Sequence, residues 1–237
     1  MGKRSGKRHC IGVMSLFSFK RGDFIKLLEL FSGTECISEA FRNKGFQTFT
    51  VDFNPVFNAD LCMDILEVTP EMITEKFGVP DVIWASPDCT AFSIASVSHN
   101  WHNTPEGYIP KREFAANSYR ALEHTIRLIS QLNPRLFFIE NPRGMMRKMP
   151  VMREFPRYTV TYCQYGDMRM KPTDIWTNHI NTNFKPMCKN GSVCHEAAPR
   201  GSKTGTQGLK NSIERSKIPI ELCGHIANIS YQCIGKR

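Results

Sequence analysis

The sequence predicts an α/β fold in which a mostly parallel, twisted sheet carries helices on both faces. Two observations support this prediction. Segments rich in β-forming residues alternate along residues 23–180 with segments of helical hydrophobic spacing, a pattern typical of βαβ units. The chain also has 237 residues, of which 41% are hydrophobic and 22% are charged. That composition is sufficient for one large domain, and it excludes a wholly disordered or low-complexity chain.

The first part of this region contributes four predicted strands and two predicted helices. From their β-forming or apolar residues, the strands are expected at 24–30, 46–52, 63–65 and 81–85. The first helix covers 35–43, where apolar residues recur at helical spacing, and Gly45 follows it as a stop signal. The second helix begins after Thr69, a candidate N-cap followed by Pro70, and runs to Phe77.

The second part contains a long predicted helix over 112–132 and three further strands. These strands are expected at 136–140, 158–162 and 174–180. A final helix, begun by Pro219, covers 218–229, whereas the periodicity fades over 181–217, which we predict to be a small irregular segment. No regular element is predicted in the stretch of about 20 residues after Cys89, which is rich in Ser, His, Asn and Pro.

Charge is distributed unevenly and divides the chain into four regions. Residues 1–22 carry a net charge of +6 and are predicted to be a basic tail, whereas residues 23–180 carry −3 and form the main domain. Residues 181–217 carry +5, and residues 218–237, with +1, are expected to pack back on the main domain as a C-terminal helix. Two basic flanks beside a slightly acidic body predict contact with a nucleic acid; flanks that are merely solvated are the alternative.

The number of cysteines and the hydropathy of the chain predict the compartment in which it acts. The nine cysteines are odd in number and scattered, which favours reduced thiols in a cytoplasmic protein over a disulfide framework. No window approaches the ~18 consecutive apolar residues that a membrane helix needs, so no membrane partner is predicted.

One group of cysteines and histidines is a candidate zinc site. Cys188, Cys194 and His195, together with Cys223 and His225 downstream, offer four or more zinc ligands. The spacing is not the C-x2-C of a zinc ribbon, and an adjacent Cys-His pair is common by chance. We therefore predict no metal site.

Polar or reactive residues follow four of the predicted strands. A tight turn at 31–35 follows the first strand, Asp52 ends the second, Cys89 follows the strand at 81–85, and Glu140 ends the strand at 136–140. In a parallel sheet, ligands bind at the carboxyl ends of the strands. The sequence therefore predicts one site at which these four groups meet.

In their order and spacing, these residues resemble the cytosine-5 DNA methyltransferase family. Six segments within about residues 25–180 carry the resemblance. They are Leu28-Glu29-Leu30-Phe31-Ser32-Gly33 (family D/E-L-F-x-G-x-G), Val51-Asp52-Phe53, Asp64-Ile65, Asp88-Cys89-Thr90-Ala91-Phe92-Ser93 (family Pro-Cys-Gln-x-Phe-Ser), Glu140-Asn141-Pro142 (family Glu-Asn-Val), and Tyr165-Gly166 with Arg169, Lys171 and Thr173 (family Gln-x-Arg-x-Arg).

The resemblance implies a Rossmann-like, S-adenosylmethionine-dependent methyltransferase fold. The main domain at 23–180 is then catalytic, and the segment at 181–217 is a reduced target-recognition segment. The residues expected to bind S-adenosylmethionine are Phe31, Ser32, Gly33, Thr34, Glu35, Asp52, Phe53, Asp64, Ile65 and Pro87. The expected catalytic residues are Cys89, Glu140 and Lys171, with Arg169 in reserve for Lys171.

The expected chemistry explains why these residue types are needed. Cytosine C5 is a poor nucleophile, and attack of a Cys89 thiolate on C6 produces an enamine whose C5 accepts the methyl group. Glu140 is expected to bind the N3/N4 edge of the base, and Lys171 the base carbonyl or a phosphate. The target cytosine must be flipped out of duplex DNA. The loop 94–112 is the expected mobile lid, with a passive surface loop as the alternative.

The chain departs from the family pattern at several positions. Glu35 takes the place of the second glycine of the cofactor motif. Asp88 replaces the proline before Cys89 and is expected to raise the pKa of the thiol unless it points away. Lys171 and Thr173 stand in for two arginines. An RNA cytosine-5 methyltransferase and an inactive nucleic-acid-binding descendant of the fold are therefore kept as alternatives.

The resemblance also predicts the biological setting. We expect a monomer without an obligate protein partner that acts on DNA in the cytoplasm of a bacterial or phage-infected cell. By analogy, its small size favours a role in restriction–modification or in restriction evasion.

Overall fold

The structure, a computed structural model, describes residues 24–105, 107–197, 209 and 211–235. The predicted basic tail at 1–22 lies outside the described residues, as does part of the segment 181–217. Residues 178–197 contain no helix or strand.

Nine strands and six helices lie within the described residues. The strands are β1 Lys26–Leu30, β2 Gln47–Asp52, β3 Leu61–Cys62, β4 Val82–Ala85, β5 Trp101–Thr104, β6 Gly107–Pro110, β7 Leu136–Pro142, β8 Arg157–Thr161 and β9 Pro172–Thr177. The helices are α1 Cys36–Arg42, α2 Pro70–Lys76, α3 Val97–Asn100, α4 Glu113–Leu132, α5 Ser212–Ser216 and α6 Ile220–Ile234.

Seven of the strands form one sheet, in the order β3-β2-β1-β4-β7-β9-β8. The pairs β1–β2, β1–β4, β2–β3 and β4–β7 are parallel, whereas β9 runs antiparallel to both β7 and β8. The prediction of a mostly parallel sheet is confirmed. The carboxyl ends of β1, β2, β4 and β7 therefore lie at one edge, and the reversed direction of β9 brings its first residue to that same edge.

Alternating apolar residues give the sheet two buried faces. On one face, Leu28 and Ile83 belong to a core with residues of α2 and α4. On the other face, Leu27 and Trp84 belong to a second core with residues of α1 and α6. Because successive side chains of a strand point to opposite faces, helices cover both sides, as predicted.

The third strand is displaced from its predicted position. The prediction of a strand at 63–65 is wrong, because β3 lies at Leu61–Cys62 and a 3₁₀ turn follows at Ile65–Glu67. Asp64 caps that turn by accepting a hydrogen bond from the backbone N–H of Leu66 at 2.9 Å. The predicted cap of α2 is confirmed, since the Thr69 hydroxyl accepts from the Met72 N–H at 3.3 Å.

The stretch after Cys89 contains regular structure that the sequence did not predict. It holds the short helix α3 and an antiparallel hairpin of β5 and β6. Trp101 is buried at the base of this hairpin, where its Nε1–H donates to the carbonyl of Ala91 at 2.7 Å and its ring stacks on Phe92 at 5.6 Å. These contacts join residues nine and ten positions apart, so no local pattern signals them.

At the C-terminus, α6 extends to Ile234, five residues beyond the predicted end at 229. Its buried face, which includes Leu222 and Ile226, packs with Ile37 and Phe41 of α1 in the second core. No helix in the described part of the chain is long and apolar enough to cross a bilayer.

Candidate active site

The turn between β1 and α1 has an unusual backbone. Phe31, Gly33 and Glu35 all adopt positive φ, at 59°, 49° and 55°. This conformation is readily available to glycine and costs other residues of order 1 kcal/mol or more. It turns the chain sharply at the carboxyl end of β1, as the predicted cofactor motif requires.

Asp52 connects this turn to the end of β2. Its Oδ2 accepts the backbone N–H of Gly33 at 2.9 Å, and its Oδ1 accepts the N–H of Asn54, also at 2.9 Å. Since a carboxylate oxygen can accept more than one hydrogen bond, both atoms retain capacity for ligand hydroxyls.

The surroundings of the turn fit S-adenosylmethionine. Among the described residues, the buried hydroxyl of Ser32 has no hydrogen-bond partner, and a Cβ on Gly33 would meet no atom within 4 Å. Phe53, directly after Asp52, is 71% exposed, which is unusual for a large apolar side chain and leaves its ring available for stacking. An unsatisfied polar group, open space and an available aromatic ring are all features of a small-molecule site.

The other predicted cofactor residues have varied environments. Ile65 is buried, and the Asp64 carboxylate is exposed apart from its bond to Leu66. Thr34 is exposed on the turn, its hydroxyl 3.1 Å from the Cys36 sulfur. The buried residue Pro87 accepts a hydrogen bond at its carbonyl from the side-chain amide of Asn141 at 2.9 Å.

Glu35, which replaces a family glycine, is held by two side chains. Its Oε2 pairs with Arg42 at 3.0 Å, and its Oε1 accepts from the Thr50 hydroxyl at 3.3 Å. These bonds hold the carboxylate against α1 and β2. The left-handed backbone that a glycine would adopt is retained here by a glutamate.

Cys89 lies on the loop after β4 and is exposed. Desolvation by the surrounding protein raises the pKa of its thiol to about 11; the negative charges of Asp88 and Glu140 raise it further, and Lys171 lowers it. The expected effect of Asp88 on Cys89 is therefore present. Asp88 itself turns toward Thr90, whose hydroxyl donates to Oδ1 at 2.8 Å.

Glu140 is buried near the end of β7, with 6% of its surface exposed. Its Oε1 accepts a hydrogen bond from the Tyr162 hydroxyl at 3.0 Å. Burial raises the pKa of Glu140, while Lys171 and hydrogen bonds from Tyr162 and Ser86 oppose that rise. A carboxyl group in this environment is able to hold a proton that an exposed glutamate would lose.

Lys171 precedes β9 and faces the same site. Its Nζ donates to the carbonyl of Arg215 at 2.9 Å and lies 4.6 Å from the centre of the Tyr162 ring. Desolvation lowers the pKa of Lys171, whereas Glu140 and Cys89 raise it. The structure thus brings Cys89, Glu140 and Lys171 into one electrostatically coupled group.

Arg169, the alternative to Lys171 as the cation of the site, binds other groups of the protein. It is 4% exposed and forms an ion pair with Asp167. Its guanidinium also donates to the carbonyls of Glu214, Arg215 and Lys217 at 3.1–3.3 Å. With Nε and Nη2 bound to Asp167 and these three further bonds, all five of its N–H groups have acceptors. This geometry favours a role in positioning the segment around α5 over contact with a base.

Three residues outside the predicted site set contribute to this geometry. Tyr162 supports both Glu140 and Lys171. Asn141 joins β7 to the nucleophile loop through Pro87, and its buried Oδ1 has no hydrogen-bond partner in the part of the chain that the structure describes. A Cβ at Gly144 would lie 2.2 Å from the carbonyl oxygen of Phe92, so only glycine allows this close approach to the nucleophile loop. The Glu-Asn-Pro run had indicated Asn141; no local signal indicated Tyr162.

Comparison with known proteins assigns the chain to a family. The family model of the C-5 cytosine-specific DNA methylases matches residues 25–152. The chain belongs to this family.

Two relatives and one solved structure illustrate the assignment. The chain is 31% identical over 159 residues to a probable DNA (cytosine-5)-methyltransferase of Frog virus 3 (isolate Goorha), a match covering 65% of this chain and 71% of the viral protein. It is 24% identical over 133 residues to the type II methyltransferase M.XorII of Xanthomonas oryzae pv. oryzae (strain KACC10331 / KXO85), covering 50% of this chain and 28% of that protein.

The structure of Entamoeba histolytica methyltransferase EhMeth superposes with a TM-score of 0.51 at 12% identity, over 70% of this chain and 57% of that one. This likeness shows the fold alone. The Rossmann-like methyltransferase fold predicted from the sequence is confirmed, and membership of the family supports cytosine-5 methylation of DNA as the activity.

Proposed function

We propose that the chain transfers a methyl group from S-adenosylmethionine to C5 of cytosine in DNA, with Cys89 as the nucleophile. The observation that carries this proposal is the meeting of Cys89, Glu140 and Lys171 at one edge of the sheet, where Tyr162 contacts both Glu140 and Lys171. These residues lie beside the carboxyl ends of β4 and β7 and the start of β9. They provide a nucleophile, a proton donor and a cation at one edge of the sheet.

The residues of the first turn would hold the cofactor. Asp52 is placed to accept ribose hydroxyls, Phe53 to stack on adenine, and Ser32 to meet a polar group of the ligand. When bound, S-adenosylmethionine supplies an electrophilic methyl group on a sulfonium centre.

Cys89 forms the covalent bond to the base. As the Cys89 thiol gives its proton to solvent and its sulfur adds to C6, N3 takes up a proton from Glu140 and an enamine forms; C5 would then bond to the methyl group, and the electron pair of the broken methyl–sulfur bond stays with the cofactor sulfur. Transfer of the C5 proton to solvent with cleavage of the C6–S bond releases the Cys89 thiolate, and N3 returns its proton to Glu140. Because the pKa of Cys89 is about 11 in the absence of substrate, most of the thiol is protonated near neutral pH. The nucleophile therefore has to be activated while the base is bound.

Glu140 is the group that polarises the ring. Its raised pKa allows it to donate a proton or a hydrogen bond to N3 as charge develops there, and Tyr162 fixes its orientation. Lys171 provides a positive charge beside the thiol, which favours the thiolate and suits the base carbonyl.

Access to these groups requires a flipped cytosine, at a cost of a few kcal/mol. The hairpin β5–β6, within the predicted lid 94–112, is joined to the nucleophile loop through Trp101 and Ala91. The free thiols among the described cysteines support action in a reducing cytoplasm. We keep a monomer as the working assembly.

The proposal is tested with duplex DNA that contains 5-fluorocytosine, which traps the C6 adduct because fluorine cannot leave as a proton does. The wild-type chain with S-adenosylmethionine is expected to form a denaturation-resistant complex, which Cys89→Ser cannot form. Cys233→Ser, on α6, is the matched control and should form it normally. Full methyl transfer by Cys89→Ser would refute the nucleophile assignment.

An inactive nucleic-acid-binding protein is the second candidate, favoured by the effect of Asp88 on Cys89. It predicts DNA binding without any adduct and without release of tritium from 5-tritiated cytosine. Folded tRNA tested in parallel distinguishes the RNA alternative, because only an RNA enzyme would prefer it as the substrate.

A further inference from the structure

Three cysteines and a histidine that the proposed reaction does not use meet at one point. Cys163 follows β8, and Cys188, Cys194 and His195 belong to the segment after β9. One ligand atom from each of these residues lies within 4.8 Å of every other. Spacing in the sequence marks the last three as candidate zinc ligands, together with Cys223 and His225, but gives no sign of Cys163.

Three of the four distances given below are those of a tetrahedral metal site, and the Cys163–Cys188 distance is shorter. Cys163 Sγ lies 3.7 Å from Cys194 Sγ and 3.1 Å from Cys188 Sγ. His195 Nδ1 lies 3.6 Å from Cys188 Sγ and 3.7 Å from Cys194 Sγ. With Zn–S bonds of about 2.3 Å, two ligands on a tetrahedron are separated by about 3.7 Å. A metal ion at the centre would need only small adjustments of the side chains.

We propose that Cys163, Cys188, Cys194 and His195 bind a structural zinc ion. Three thiolates and an imidazole are the soft donor set that selects zinc, and four protein ligands leave no open position for catalysis. The cluster is partly buried, as is usual for structural rather than adventitious sites.

Neighbouring groups support the ligands. The side-chain amide of Gln164 donates to Cys194 Sγ at 3.4 Å, and the Thr161 hydroxyl accepts the backbone N–H of Cys188 at 3.0 Å. Hydrogen bonds of this kind orient metal ligands and offset the negative charge of a three-thiolate site. The other two candidate ligands from the sequence contact different groups. His225 Nε2 lies 2.9 Å from the Thr182 carbonyl, and Cys223 Sγ lies near the Ile218 carbonyl.

The proposed ion would join the recognition segment to the catalytic domain. Cys163 lies in the connection between β8 and β9, which ends at Lys171, whereas the other three ligands lie beyond β9. The backbone bond from Glu196 to the Met168 carbonyl, at 2.9 Å, links the same two stretches. Zinc would therefore fix the irregular segment 187–197 where few apolar contacts are available to order it.

The full-length chain, purified without chelators from zinc-supplemented medium, tests the site independently of methyl transfer. Elemental analysis is expected to find about one zinc per chain, released by a mercurial reagent. Cobalt exchanged into the site should show thiolate charge-transfer and tetrahedral d–d bands. Fewer than about 0.1 zinc per chain, with no such bands after cobalt addition, would overturn the proposal.

Variants then identify the ligands. Cys163→Ser and Cys194→Ser should each lose most of the zinc, whereas Cys233→Ser should retain it. Cys233 is a matched control because it also lies beside a histidine, 3.5 Å from His179 Nε2. Full zinc content in Cys163→Ser would refute the assignment of Cys163 as a zinc ligand. A disulfide among the three cysteines in freshly purified protein, detected by thiol counting, would refute the metal site.

Discussion

Asp88 is the acidic residue beside the proposed nucleophile, and Asp88→Asn tests how the Cys89 thiol is controlled. Asparagine retains the side-chain oxygen that accepts from Thr90 but removes the charge that raises the pKa of Cys89. The local loop should therefore be preserved. We expect the pKa of Cys89 to fall from its value of about 11.

The size of this change follows from Coulomb's law. Charges on consecutive residues are about 6 Å apart, given the Cα spacing of about 3.8 Å. At an effective dielectric constant of about 40–80, suited to an exposed acid, they interact by about 0.7–1.4 kcal/mol, or about half to one pKa unit. The thiolate fraction at pH 8 then rises about threefold to tenfold. Lower basicity weakens each thiolate as a nucleophile, so alkylation should accelerate only about twofold to fourfold.

Alkylation by iodoacetamide, followed at the Cys89 peptide by mass spectrometry over a range of pH, measures the pKa of the thiol and its rate of alkylation. Glu75→Gln, an exposed acid on α2, serves as the charge-matched control and should leave the profile unchanged. The reasoning fails if Asp88→Asn leaves both the pH profile and the rate at wild-type values. In that case desolvation by the surrounding protein, and not the neighbouring carboxylate, would control the pKa of the thiol.

Further predictions concern the scaffold of the site. Burial raises the pKa of Glu29 from 4.5 to about 7, so the folded state binds a proton more tightly than the unfolded state does. Stability should fall as pH rises from about 5 to 7, by up to about 3 kcal/mol, and urea titrations should show this slope flattened in Glu29→Gln. Arg169→Lys should destabilise the fold by about 3 kcal/mol and expose the segment around α5 to proteolysis, because a single ammonium cannot replace five guanidinium donors. Gly144→Ala should cost about 1–3 kcal/mol and slow adduct formation with 5-fluorocytosine DNA, because the new methyl group displaces the nucleophile loop. Phe53→Ala should weaken S-adenosylmethionine binding about threefold to tenfold in calorimetry, with little change in stability.

Each of these expectations has a contrary outcome. Equal pH slopes for wild type and Glu29→Gln would mean that the pKa of this carboxyl does not differ between the folded and unfolded states. Unchanged protease resistance of Arg169→Lys would show that the segment is held by other contacts. Wild-type adduct formation by Gly144→Ala, or wild-type cofactor affinity of Phe53→Ala, would remove that residue from the proposed site.

The sequence predicted the parts of the fold that depend on local pattern. The alternation of β-forming and helical segments located β1, β2, β4 and β7, and the chemistry of strand ends placed Asp52, Cys89 and Glu140 at one edge of the sheet. These inferences succeed because a parallel sheet carries its ligand site at a fixed edge, whatever the details of packing.

What the sequence missed depends on contacts between distant residues. The hairpin after Cys89 is held by Trp101 on the Ala91 carbonyl, and the guanidinium of Arg169 is satisfied by carbonyls at least 45 residues away. Cys163 meets Cys188 across 25 residues. Such pairings leave no periodic signal, and only the folded chain brings them together.

The reversed direction of β9 has a consequence for how such a chain can evolve. Asp52 ends its strand, Cys89 lies beyond its strand and Glu140 lies two residues before the end of its strand, but Lys171 comes before its strand. Insertions or deletions after β9 leave the spacing from that cation to the strand and to Tyr162 unchanged, whereas a single residue gained or lost between Tyr162 and Lys171 shifts Lys171 relative to the Tyr162 ring that it contacts. The ten residues from Tyr162 to Lys171 must therefore keep their length, while the stretch downstream of Thr177 can change in length without altering that spacing.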